Sequence, residues 1–238
     1  MIYVMSDLHG CYDEYLEMLK KINFNNNDIL YILGDVVDRG PCPIDILKDM
    51  MQRENIIPIL GNHDFIAYQL LKKLNTEITI DNVESHLDED TMLAFMNWIQ
   101  DGGLSTFQQF KQLSQNEKKE ILDFFEEFSL YEQMTFHDKE YVLVHAGLNH
   151  FKENKPLEYY QLSDFLFYRT DYSKIYYKDK YLITGHTPTI LIRDDRQPLI
   201  YQKYNHIAID CGCTFGKKLA CYCLDNDTVF YVDAKNSL

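Results

Sequence analysis

Apolar residues along this chain recur with two different periods. Short apolar runs at Ile2–Met5, Ile29–Leu33 and Ile56–Leu60 predict strands, and each precedes a stretch with apolar positions at helical spacing: Tyr12–Ile22, Pro43–Gln52 with Ile44, Leu47 and Met51, and Phe65–Leu74. Pro41 and Pro43 suit a helix entrance, where a missing N–H costs nothing. Three strand-loop-helix units in succession predict a parallel sheet, whose loops leave the carboxyl ends of the strands along one edge. From about Glu84 to Leu130 the pattern turns helical, with apolar stripes Met92-Leu93-Phe95-Met96-Ile99, Leu104-Phe107-Phe110 and Ile121-Leu122-Phe124-Phe125-Phe128. Strand signals return at Tyr141–His145, Tyr181–Thr184, Ile207–Cys211, Leu219–Leu224 and Val229–Val232, the last two read as a hairpin across Asp225-Asn226-Asp227. The expected fold is α/β, a single domain over residues 1–238: two mixed β-sheets packed face to face, helices outside, and a helical insertion at about 84–130.

Charge narrows the partners. A formal net charge of −14 and a pI near 4.9 exclude broad attraction to nucleic acid or to an anionic membrane, so an anionic substrate has to be drawn in by local positive charge. No apolar run approaches the roughly 20 residues of a membrane span. Met1-Ile2-Tyr3-Val4 runs directly into a polar motif, and a cytoplasmic location is the expectation. Six cysteines stand as Cys11, Cys42 and the pairs Cys211/Cys213 and Cys221/Cys223. A C-x-C pair within a strand sends both thiols to one sheet face, which favours buried free thiols over a zinc knuckle or a disulfide.

The loops after the first three strands carry Asp7-Leu8-His9-Gly10, Gly34-Asp35-Val36-Val37-Asp38-Arg39-Gly40 and Gly61-Asn62-His63-Asp64; Val144-His145-Ala146-Gly147 and Thr184-Gly185-His186-Thr187-Pro188 follow later. The topology puts Asp7, His9, Asp35, Asn62 and His63 on one rim. In this order the motifs resemble the calcineurin-like metallophosphoesterases, and Arg39 within Gly-Asp-x-x-Asp-Arg-Gly is similar to their phosphoprotein phosphatase branch. The Ile209-Asp210-Cys211-Gly212 segment also resembles that family's late strand. Ser6 and Asp64 depart from the branch, which more often has glycine and glutamate there.

The resemblance implies two divalent metal ions, with Asp7, His9 and Asp35 on the first and Asp35, Asn62, His145 and His186 on the second. Mixed imidazole, carboxylate and amide ligands favour Mn²⁺, with Fe or Zn²⁺ as alternatives, over calcium. Such a pair can bind one water and bring its pKa toward ~7, so no serine or cysteine nucleophile is required. Arg39 suits a two-pronged clamp on phosphoryl oxygens, and the resemblance offers Arg169 in Leu166-Phe167-Tyr168-Arg169 as a second, with Arg193 and Arg196 as competitors. His63 is expected to donate a proton to the leaving oxygen, oriented by Asp38 as in the family's histidine-aspartate pair. Asn62, Arg39 and Arg169 would bind substrate. His86, His137, His150 and His206 match no motif. Aromatic residues around Arg169, from Tyr159 to Tyr177, could stack on a ring, although most are expected to be packing.

The expected activity is a metal-dependent phosphomonoesterase acting on phosphoserine, phosphothreonine or phosphotyrosine in proteins, or on another small phosphorylated substrate. Symmetrical cleavage of a dinucleoside polyphosphate is the alternative, since a relative in the same family does this. A non-catalytic phospho-binding scaffold is a third reading, disfavoured because every expected position is filled.

Overall fold

A computed structural model describes residues 1–76 and 88–235. Strands β1 (Ile2–Met5), β2 (Ile29–Leu33) and β3 (Ile56–Ile59) alternate with helices α1 (Tyr12–Lys21), α2 (Pro43–Met51) and α3 (Asn62–Asn75). Three further helices follow, α4 (Glu89–Trp98), α5 (Leu104–Gln112) and α6 (Gln115–Glu126), with a wide kinked turn at Ile99–Gly103 between the first two. The rest is mostly strand: β4 (Tyr131–Phe136), β5 (Lys139–Val144), β6 (Lys180–Thr184), β7 (Tyr201–Lys203), β8 (His206–Ala208), β9 (Lys218–Cys223) and β10 (Val229–Asp233), with the short helix α7 at Leu162–Leu166.

The strands form two five-stranded mixed sheets, ordered β10-β9-β1-β2-β3 and β4-β5-β6-β8-β7. In each sheet three neighbouring strands run parallel: β1, β2 and β3 in the first, β5, β6 and β8 in the second. The strand period of two explains the layering. Val4, Tyr31 and Leu33 face Leu143, Ile183 and Ile207 of the opposite sheet, while Tyr3, Met5, Leu30 and Ile32 face the outer helices. Pro58 is tolerated because β3 is an edge strand.

Strand boundaries fall within a few residues of the sequence pattern, with β4 and β7 added. The start of the expected insertion, and His86 with it, lies outside the described residues. The Met92-Leu93-Met96 stripe does not pack inward: these side chains are 48%, 58% and 56% exposed. Helix α4 instead buries Thr91 and Trp98, and the Phe95 ring meets Trp98 and Phe107 edge-on. Burial also separates the first cysteine pair. Cys221 and Cys223 share the outer face of their sheet, whereas the chain turns at Gly212 (φ 75°), so Cys211 joins the inter-sheet core and Cys213 the helix-facing one.

Candidate active site

The five motif loops meet at one edge of the sandwich, and their backbones are unusual there. Asp7, His9, Asp35, Asp38, Arg39 and His186 all have φ between 41° and 71°, a region that side chains other than glycine seldom occupy. Left-handed residues turn the chain sharply just beyond a strand end and aim successive side chains inward. The loops brace one another: Asp7 N–H donates to Gly34 O (3.0 Å), His9 N–H to Asp35 O (2.8 Å) and Gly185 N–H to His145 O (2.8 Å). Asp64 supports the same loops from below, accepting from Val36, Val37 and Gly61 N–H at 2.9, 3.2 and 3.0 Å.

Asp35 is the centre. One oxygen lies 3.4 Å from His9 Nε2 and the other 3.4 Å from His145 Nε2. His9 Nδ1 is bonded to Val37 O (2.9 Å) and His145 Nδ1 to Leu33 O (2.7 Å), which fixes the tautomers and leaves each Nε2 with a lone pair. On both sides of Asp35, therefore, a lone pair confronts a carboxylate oxygen, an arrangement that a cation between them relieves. His186 Nδ1 (3.2 Å) and Asn62 Oδ1 (2.9 Å) also approach His145 Nε2. Two groups result that could each hold an ion, His9-Asp35-His63 and Asp35-His145-His186.

Electrostatics suit that use. Burial pushes His9 and His186 down to about 3 and lowers His145, so all three are neutral at pH 7 and need shed no proton to bind a metal. Burial works against the Asp35 charge, yet the surrounding histidines, His145 foremost, hold its carboxyl well below the usual range. Asp7 is also buried, but both its oxygens accept the His186 backbone N–H (3.1 and 3.0 Å), and it lies outside the two compact groups. Burial, with Asp210 and Asp35 nearby, raises its carboxyl well above normal.

The expected proton-transfer pair is in contact: His63 Nδ1 is 2.8 Å from Asp38 Oδ2. Burial opposes a charge on His63, but the Asp38 hydrogen bond and the Asp35 charge raise its pKa. Arg39 reaches His63 Nε2 (2.8 Å) and His9 Nε2 (2.7 Å) and lines the same cleft as Arg169. The ion pairs that could have occupied Arg169 are spoken for, since Asp171 bonds Lys174 and Ser173 and Asp164 accepts from Gln161 N–H. Arg193 and Arg196 instead hold their own loop, through Asp195, Ile200 O and Ile190 O.

This cleft, about 420 Å³, is lined by Asp35, Asn62, His63 and His186 and also by the apolar Pro188, Ile190, Leu191 and Phe215. No motif in the sequence singles out Ile190, Leu191 or Phe215. The Tyr159–Tyr177 aromatics mostly pack: Tyr160, Phe165, Tyr176 and Tyr177 are buried, and Tyr172 stacks on buried His206 with centroids 4.8 Å apart. Asp210, buried in the cleft lining and raised by that burial to about 7, is a further site residue, marked in the sequence only through the Ile-Asp-Cys-Gly segment.

The chain is similar to known proteins over most of its length. The asymmetrical bis(5'-nucleosyl)-tetraphosphatase PrpE of Oceanobacillus iheyensis is 27% identical over 93% of this chain and 87% of its own length. The symmetrical bis(5'-nucleosyl)-tetraphosphatase of Wigglesworthia glossinidia brevipalpis is 35% identical, but over only 41% of this chain and 36% of that relative's length. A solved structure provisionally assigned as a diadenosine tetraphosphatase superposes with a TM-score of 0.67 at 17% identity, covering 99% of this chain and 94% of its own, which speaks for the fold. The calcineurin-like phosphoesterase family model matches residues 1–231, and the chain belongs to that family of metal-dependent phosphohydrolases.

Proposed function

We propose that the chain hydrolyses small nucleoside polyphosphates, dinucleoside tetraphosphates in particular, at a dinuclear metal site. The observation that carries this reading is the join between phosphate clamp and apolar wall. The Arg39 guanidinium carbon lies 5.4 Å from the centre of the Phe215 ring, and Phe215 and Leu191 are 48% and 55% exposed beside Arg169. A phosphate chain ending in a flat base can use both surfaces at once. The near full-length similarity to a tetraphosphatase supports the same substrate class. The phosphoprotein reading needs the clamp and has no evident use for the wall.

Asp35 would bridge two divalent cations, with Asp7 and His9 on one and Asn62, His145 and His186 on the other. Mn²⁺ suits this ligand set. When bound, the cations supply a water of lowered pKa and neutralise phosphoryl charge. Arg39 and Arg169 hold the equatorial oxygens in line for attack, each with paired N–H donors that a point charge cannot imitate. His63, oriented by Asp38, gives a proton to the departing oxygen. Asn62 helps to bind the phosphate.

The test is kcat/KM for diadenosine tetraphosphate and for a phosphopeptide set at matched Mn²⁺. A preference of 100-fold or more for the dinucleotide, about 2.7 kcal/mol of transition-state discrimination, is expected. A phosphopeptide preference of that size would replace the nucleotide reading with the phosphoprotein one. Product identity then separates symmetrical from asymmetrical cleavage.

A further inference from the structure

Asp38 is fully buried, and three side chains from two parts of the chain enclose its carboxylate. His63 Nδ1 and the indole Nε1 of Trp98 each lie 2.8 Å from Oδ2, and the Thr106 hydroxyl donates to Oδ1 at 2.7 Å. Thr106 Oγ1 in turn accepts the Asp38 backbone N–H at 2.9 Å. Trp98 and Thr106 are 60 and 68 residues away from Asp38 in sequence, and they flank the kinked turn between α4 and α5. Both are buried, at 3% and 0% exposure.

The turn is shaped for these contacts. At Gly103 a Cβ would lie 2.3 Å from the Trp98 indole, so only glycine lets the ring slide beneath the turn toward Asp38. At Gly102 (φ 106°) a Cβ would lie 2.5 Å from Arg39 Cγ, and Gly102 O accepts the Arg39 backbone N–H at 2.8 Å. Phe95 and Phe107 hold the indole edge-on, with centroids 5.9 and 6.5 Å away.

We propose that Trp98 and Thr106 are positioning residues for phosphoryl transfer: they lock the Asp38 carboxylate so that it holds the His63 ring with Nε2 facing the cleft. The carboxylate torsion of an aspartate is broad and nearly two-fold. Held by His63 alone, it could swing, and the imidazole would swing with it. Donors on both oxygens remove that freedom, which is the support that a group moving a proton needs to stay within hydrogen-bond reach of its target. In the step concerned, the oxygen of water forms a new bond to phosphorus and gives up one proton to solvent. The bond from phosphorus to the leaving oxygen breaks with its electron pair on that oxygen, the proton on His63 Nε2 passes to it, and His63 is reprotonated from solvent before the next turnover. The proposal rests on the reading of His63 as proton donor, and it makes the helical insertion part of the catalytic apparatus.

A purely structural role would also satisfy the buried charge, but its loss would slow every substrate alike. The test therefore uses phenyl phosphate and p-nitrophenyl phosphate, whose leaving oxygens differ in their need for a proton. In Mn²⁺-loaded protein, Trp98→Phe and Thr106→Val should each lower kcat on phenyl phosphate about 10- to 100-fold, the size of a lost hydrogen bond to a charged group. KM and metal content should stay within about twofold, and the loss on p-nitrophenyl phosphate should be several-fold smaller. Thr106→Ser, which keeps the hydroxyl, should recover most of the rate. Trp98 is the single tryptophan, so its indole N–H resonance can be followed in the metal-free chain, where it should be protected from exchange and should shift in Asp38→Asn. His63→Asn is the control. If it shows the leaving-group dependence and the Trp98 and Thr106 variants do not, the positioning role is overturned while His63 keeps its own. If His63→Asn slows both esters equally, the proton-donor reading falls and this proposal falls with it.

Discussion

His145 and His186 bring ring nitrogens within 3.2 Å of each other from the ends of two adjacent parallel strands, and His145 Nε2 also lies 3.4 Å from Asp35. Their other neighbours leave no proton to spare between His145 and Asp35, so a bound divalent ion should stabilise the fold measurably. At 100 times its dissociation constant each bound Mn²⁺ should add about 2.7 kcal/mol, or roughly 5–10 °C in Tm per ion for a chain of this size. Asp35→Asn should abolish most of that gain and leave fewer than two ions per chain after mild chelation. His9→Ala should lose about half. Calorimetry with metal analysis reads both, and two ions retained by Asp35→Asn would contradict the bridging role.

The convergence of the motif loops was legible in the sequence because they sit where a change of hydrophobic period marks a strand end, and parallel strands deliver such ends to one rim. Topology reached Asp7, His9, Asp35, Asn62 and His63; grouping Asp35 and Asn62 with His145 and His186 came from the resemblance of the motif order to the family. The contacts of Asp38 with Trp98 and Thr106 could not be read in this way: the Trp98–Thr106 stretch with Asp101-Gly102-Gly103 resembles a segment shared by bacterial relatives, but its contacts to Asp38 span 60 residues or more and depend on a kink that no local pattern reveals. The Met92-Leu93-Met96 stripe misled for a related reason. Helical spacing identifies a coherent face but not its partner, and the side of α4 that packs is the one carrying Trp98. The aromatic residues near Arg169 mostly pack, as expected, and the cleft is lined instead by the apolar Ile190, Leu191 and Phe215, which follow the histidine motif and which no motif singled out.

His206 gives a pH prediction apart from the rim. It is buried against Tyr172 and Thr184, and burial lowers it to about 3. The unfolded chain takes up this proton near 6.5. Between those values the unfolded state binds more protons, so stability falls as pH drops from about 6.5 toward about 3, by ~1.4 kcal/mol per pH unit for one such group. His9 and His186, also held near 3, add to the slope in metal-free protein. Over the same range the raised carboxyls of Asp7, Asp64 and Asp210 act in the opposite sense, because the folded state holds their protons and the unfolded chain does not. The readout is therefore the difference between wild type and His206→Phe in urea unfolding of the metal-free chain from pH 7 to 4.5, where the variant should be favoured by acid relative to wild type by about one group's share. A slope unchanged in that variant would mean that His206 does not contribute.

Asp64 should matter more for stability than its place beside His63 suggests. Its two oxygens take three backbone N–H groups from the loops that carry Asp35 and Asn62. Asn in its place keeps one acceptor and turns an amide NH₂ against the remaining donor. We expect Asp64→Asn to cost about 2–3 kcal/mol and to weaken metal binding as well, because the Asp35 loop loses its tether. Denaturation midpoints with and without Mn²⁺ separate the two effects. Equal losses in both conditions would confine Asp64 to a structural role.

Substrate choice can be decided at the cleft wall. If Phe215 and Leu191 receive a base, removing the Phe215 ring should matter only for substrates that carry one. Phe215→Ala should raise KM for diadenosine tetraphosphate about 5- to 30-fold, the range of one lost stacking contact of ~1–2 kcal/mol, with p-nitrophenyl phosphate nearly unaffected. Arg169→Ala should instead weaken both substrates, raising KM and lowering kcat, since the clamp acts on phosphoryl oxygens in the ground and transition states. Arg169→Lys should recover little, because a point charge cannot make the paired contact. The two variants thus separate base recognition from phosphate recognition in one assay pair. Should Phe215→Ala leave the dinucleotide untouched while Arg169→Ala impairs it, the wall would have no part in binding and the nucleotide reading would lose the observation that carries it.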